Sequence, residues 1–99
     1  MSDLNYPLDR VVIKLSRPVE IGGQTVEQLE LFEPTLRDKI LFSKDKDGTE
    51  LEQEVRMMAR LMNIADPLQL YNLPSCDYTK LQKAFDELVK DPADRKMKF

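Results

Sequence analysis

Apolar positions change period along the chain. Over residues 10–16 (RVVIKLS), Val11, Ile13 and Leu15 alternate with Val12 and Lys14, the period-2 pattern of a half-buried strand rich in β-branched residues. Pro18 interrupts it and marks an edge or a bulge. After Val19, Glu20 and Ile21 come Gly22 and Gly23, a two-residue turn in which both positions can take positive φ. Residues 24–32 then return, with Leu29 and Leu31 on one face. With the tip at Gly22-Gly23, Ile21 stands opposite Gln24 and Val19 opposite Val26. The ladder then brings Leu15 opposite Leu29 or Glu30, past a bulge near Pro18. The pattern predicts a hairpin over about 10–32 with one apolar face.

Beyond Glu33 and Pro34 the period lengthens. Thr35 is placed to cap a helix with the stripe Leu36, Ile40 and Leu41, and Asp38 lies in its first turn. Residues 43–48 (SKDKDG) read as a solvated loop. Thr49 and Glu52 have capping-box spacing. Leu51, Val55, Met58, Ala59 and Met62 then fall at i, i+4, i+7, i+8 and i+11, the apolar stripe of an amphipathic helix. Glu52 and Arg56 are spaced as an i,i+4 pair on its wet side. Asp66 and Pro67 read as N-cap and first residue of a short helix ending near Leu73. Ser75 or Asp77 caps a last helix to about Lys90, buried along Tyr78, Leu81, Phe85 and Leu88, and Pro92 stops it. The fold class is α+β: an N-terminal β-hairpin followed by three or four α-helices. Residues 1–9 are expected to form a flexible arm, 10–90 one domain and 91–99 a charged tail. A lone hairpin is marginal in water, so its apolar face must lie on the helices or on another chain.

Composition narrows the chemistry. The chain has 99 residues, 41% hydrophobic and 33% charged, with 15 Lys+Arg against 18 Asp+Glu. That balance fits one small folded domain and not a basic nucleic-acid binder. Histidine is absent, which removes histidine metal ligands, histidine bases and Ser-His triads together. The lone Cys76 cannot form a disulfide within its own chain and suits a reducing compartment. Apolar runs are at most three residues long, as at Val11 to Ile13, so no membrane span is expected, and the N-terminus shows no secretion signal. Residues 44–48 (KDKDG) lack the later ligands of a calcium loop. Residues 58–73 could bend as a helix-turn-helix, yet 67–73 hold no Lys or Arg. No catalytic residue, cofactor or metal site is expected.

What remains is apolar helical surface. Met57, Leu61 and Ile64 form a second stripe beside the first, so the central helix is apolar on two sides, as expected of a helix docked on another chain or central in its domain. Methionine suits adaptable binding surfaces. Met57, Leu61 and Ile64, with Leu68 and Tyr71 adjoining, are the expected partner-binding residues. The alternative is a small regulatory binding module, antitoxin-like or transcription-associated.

Two segments carry a resemblance. PVEIGGQTV at 18–26, followed by Leu29, Leu31 and Glu33-Pro34-Thr35, resembles the opening of the small tail assembly chaperones of contractile-tailed bacteriophages. Leu73-Pro74, Asp77-Tyr78, Leu81-Gln82 and Ala84-Phe85 resemble their closing helix. The resemblance implies a non-enzymatic protein of the bacterial host cytosol, absent from the mature virion. It implies binding to the tape measure protein, which is kept soluble until tail tube subunits displace the chaperone. It also implies contact with the tail tube protein, self-association into a homo-oligomer, and a longer frameshifted form beside the short one.

Overall fold

The computed structural model describes residues 9–96. Two strands, β1 (Arg10–Ile21) and β2 (Gln24–Phe32), form an antiparallel hairpin, and three α-helices follow: α1 (Leu36–Lys44), α2 (Glu50–Leu61) and α3 (Ser75–Leu88). Single 3₁₀ turns at Pro67–Leu70 and Pro92–Asp94 complete the chain. The architecture is α+β, as the periodicities predict. The arm expected at 1–9 lies outside the described residues except for Asp9, whose carbonyl accepts from the Glu33 N–H at 2.7 Å.

The turn is the two-residue kind expected, with Gly22 at φ 62° and Gly23 at φ 80°. Side chains other than glycine resist that conformation. Ile21 pairs with Gln24 and Val19 with Val26, as the tip position dictates. The register then breaks. Lys14 pairs with Gln28 and Ile13 with Leu29, so Leu15 is opposite neither Leu29 nor Glu30. Residues 15–18 bulge against Glu27 alone, and the Pro18 ring removes a ladder donor within that stretch.

A bulge leaves backbone groups without ladder partners, and α3 supplies one. Asp77 Oδ1 accepts from the Ser16 N–H at 2.9 Å, and Oδ2 accepts from the Ser16 hydroxyl at 2.9 Å. Lys80 reaches the same place, its Nζ 3.4 Å from Asp77 Oδ1 and donating to the Lys14 carbonyl at 3.0 Å. Asp77 is 0% exposed. It does not cap α3; the N-cap is Pro74, with no side-chain cap bond. Burial pushes the Asp77 carboxyl up, but the two Ser16 bonds and the Lys80 ammonium outweigh it and hold the group below its ordinary value.

The core lies between the apolar hairpin face and α2, α3 and the Pro67–Leu70 turn. Val11, Ile13, Leu29 and Leu31 meet Met58, Leu81, Ala84 and Leu88 there. Met57 and Leu61 are each 5% exposed and belong to this core. They therefore do not form an outward stripe. The helix is apolar on two sides because it is central in the domain, with β2, the 3₁₀ turn and α3 around it. α2 ends in a Schellman motif: Asn63 takes φ 59°, the Asn63 N–H donates to the Arg60 carbonyl, and the Ile64 N–H donates to the Ala59 carbonyl at 2.8 Å. Ile64 is half-buried against the core, as the apolar closure of that motif.

The segment after α3, read as a charged tail, packs down through residue 96. The Arg95 guanidinium donates to the Leu88 carbonyl at 2.8 Å and is ion-paired with Glu33. The Lys96 N–H donates to Glu87 Oε1 at 2.7 Å. Arg95 thereby satisfies the Leu88 and Lys90 carbonyls at and just past the α3 C-terminus. Residues 97–99 lie outside the described residues.

Two stability outcomes follow. Asp77→Ala removes both Ser16 bonds and should cost about 1–3 kcal/mol in a urea melt, lowering the midpoint by roughly 4–8 °C per kcal/mol in a thermal one. Because the folded carboxyl titrates below its unfolded value, its contribution is fully present above about pH 4 and fades as the pH falls further. Acid titration of wild type and variant should therefore converge. Met57→Ala should cost about 2–5 kcal/mol by the same urea assay; a near-neutral result would place Met57 at the surface.

Candidate functional site

α1 is attached to the domain from one side only. Its N-terminus is secured by the Thr35–Asp38 capping box, in which the Asp38 carboxylate accepts from the Thr35 N–H at 2.8 Å. None of its residues is fully buried. Asp38 lies 3.7 Å from Arg60, and Asp45, just past the helix, is held by Arg56 through bonds of 2.7 and 2.8 Å. Arg56 also donates to the Asp47 carbonyl. The Arg56 guanidinium holds the Asp45 carboxyl below its ordinary value against partial burial. Arg56 is therefore committed to the loop; Glu52 turns back to the Thr49 N–H at 2.8 Å instead of pairing with Arg56 along the helix. Phe42 packs against the core on the same side.

The apolar stripe of α1 points away from that attachment. Leu36 is 72% exposed, and Ile40 and Leu41 are also exposed. At 100° per residue, Leu36 and Ile40 lie roughly 160° around the helix from Asp38 and Phe42. Arg37, Lys39 and Lys44 are exposed around them. A nine-residue helix is marginal alone, so caps and ion pairs hold α1 in place while its apolar face meets water.

A second apolar surface is concave. The start of α2, the 3₁₀ turn and the start of α3 enclose a groove of about 310 Å³, lined chiefly by Leu51, Val55, Leu70, Tyr71, Leu73 and Tyr78. Leu51 is 56% exposed and Tyr71 53%. Leu68, at 61%, stands on the same turn. The turn is set by Asp66, whose side chain accepts from the Leu68 N–H at 3.0 Å, with Pro67 at the first helical position. The groove floor is rigid: Glu54 Oε2 accepts from the Tyr78 hydroxyl at 2.6 Å and from Gln82 Nε2 at 2.9 Å, bracing α2 against α3. Burial, then the Glu54 carboxylate, push the Tyr78 phenol far above its ordinary value, so it stays a donor. Glu52 lines the groove on the α2 side, and Glu50 and Glu54 line a separate hollow on the other side of Leu51.

Of the five residues expected to bind a partner, the structure thus brings Leu68 and Tyr71 to the surface, Tyr71 lining this groove and Leu68 beside it on the same turn, half-buries Ile64, and buries Met57 and Leu61. Leu51, Leu36, Ile40 and Leu41, which periodicity places on apolar helical stripes, are exposed. The signal that would have turned α1 over lies in its charges: Asp38 and Asp45 match Arg60 and Arg56 of α2, so that side faces inward.

The arrangement offers contact surface and little that is reactive. Cys76 is exposed, its Sγ 3.7 Å from the Ser16 hydroxyl oxygen. Among the described residues no group of three His, Cys, Asp or Glu could hold a metal ion, and no helix is long and apolar enough to cross a membrane.

Searches of curated proteins and of solved structures return no match. A family model described as phage tail assembly chaperone proteins, E, or 41 or 14, matches residues 12–90, from the start of the hairpin to just past α3. The chain therefore belongs to the phage tail assembly chaperone family.

Proposed function

We propose that this chaperone seats an apolar helical stretch of the tape measure protein of a contractile-tailed phage in the groove between α2, the 3₁₀ turn and α3. It keeps that client soluble in the host cytosol and yields it as tail tube subunits polymerise, so that none remains in the virion. The role is binding, without catalysis, cofactor, nucleic acid or membrane. The observation that carries the reading is the groove itself: half-exposed Leu51 and Tyr71 over a braced apolar floor, the form in which an amphipathic helix is received.

Magnitudes support displacement. Completing the burial of one half-exposed Leu yields on the order of 1 kcal/mol. A handful of such groups does not repay the roughly 4–15 kcal/mol lost on association. Strength must come from many copies along one long client, and weak individual contacts are what a growing tube can strip away.

The test is coexpression of the full chain with the tape measure protein of the same phage. Leu68→Glu with Tyr71→Glu should leave stability within about 0.5 kcal/mol per site and abolish both co-purification and client solubility. Retention of the client at wild-type level by this variant would remove the groove from the reading.

A further inference from the structure

The molecule carries two exposed apolar surfaces flanked by opposite charge. The α1 face is a helix surface: Leu36, Ile40 and Leu41 are exposed on it, and Leu36 and Lys39 border a hollow beside the end of α3. The outward charges of α1 are Arg37, Lys39 and Lys44, because Asp38 and Asp45 are turned inward to Arg60 and Arg56. The groove is concave and Glu52 lines it, while Glu50 and Glu54 stand across Leu51 in the same first turns of α2, lining the neighbouring hollow. No Lys or Arg lines the groove. One surface is a short basic-apolar helix; the other accepts such a helix along an acidic edge.

We propose that α1 of one copy docks in the groove of a second copy. The inference rests on the reading that the groove receives an apolar helix. A chain cannot satisfy its own groove, since α1 is ion-paired to the Arg56 and Arg60 side of α2, roughly 140° around that helix from Leu51 and Val55. The contact is therefore heterologous: each copy offers α1 forward and its groove behind, and the chain of copies stays open unless its rotation closes a ring. α1 rises only about 13 Å and presents three large side chains, so the interface falls in the small, transient class below roughly 1,200 Å². Ion pairs at its rim weaken with salt.

Self-docking and client binding then compete for one site. In free chaperone the grooves are shielded by neighbouring α1 helices, and the client takes them over one by one.

Sedimentation velocity on the full chain tests this. Wild type should associate with rising concentration, more weakly at high salt. Leu36→Glu with Ile40→Glu, and separately Leu51→Lys with Tyr71→Lys, should each be monomeric with unchanged circular dichroism; no α1 side chain is buried, so the first pair does not threaten the fold. Mixed in equal amounts, the two variants should form a 1:1 dimer and nothing larger, because only one intact α1 and one intact groove remain per pair. The α1 variant should bind the client at least as well as wild type. Association by either variant alone, a mixture that stays monomeric, or a wild type that stays monomeric throughout would overturn the inference. Loss of the client by the groove variant together with any of those results would leave the client reading standing.

Discussion

A single buried carboxylate pins the irregular part of the hairpin to the helical layer that covers its apolar face. The hairpin has only one apolar face and two strands, too little to persist in water by itself. Its longer strand is also interrupted where residues 15–18 leave the ladder. The core against α2 and α3 covers the apolar face, and Asp77 answers the interruption, because it accepts the Ser16 N–H that the ladder does not use and does so from the first turn of α3. Burying a charge is costly unless it is paired and fully bonded, and Ser16 and Lys80 supply those partners. The bulge and α3 are thus each a condition for the other: without the bulge Ser16 would have no N–H to give, and without Asp77 the bulge would leave that donor unmet.

Much of the fold is legible in the chain because its determinants are local. Gly22-Gly23 specify the turn, and the turn specifies the Val19–Val26 register. The Thr35 and Thr49 caps, the Asp66-Pro67 start and the helical period need no more than four neighbouring residues each. What was not legible depends on distant partners. Ser16 and Asp77 are separated by 61 positions, and nothing near Asp77 distinguishes a helix cap from a buried latch. The extra residues of the bulge shift the pairing of Leu15 for the same reason. Arg95 reads as part of a polar tail until Glu33 and the Leu88 carbonyl are seen beside it.

The candidate site was half legible on the same principle. Leu68 and Tyr71 flank a Pro-started turn too short to hide them, and they are exposed. Met57 and Leu61 sit on a helix whose apolar arc spans both stripes, and period alone does not say whether the second arc meets a partner or another part of the same domain. Here it meets the same domain. At α1 the period likewise leaves the direction of the stripe open, and it is the outer face because acidic residues on the opposite side are matched by arginines on α2.

The attachment of α1 has an evolutionary corollary. Since no side chain of that helix is buried, folding exerts almost no selection on Leu36, Ile40 or Leu41, whereas a residue such as Met58 or Leu81 is constrained by every neighbour it touches. Mutation can therefore retune the outward face of α1 from one phage lineage to the next while the rest of the domain stays fixed. Divergence between lineages should then concentrate on that helix and follow whatever surface it touches.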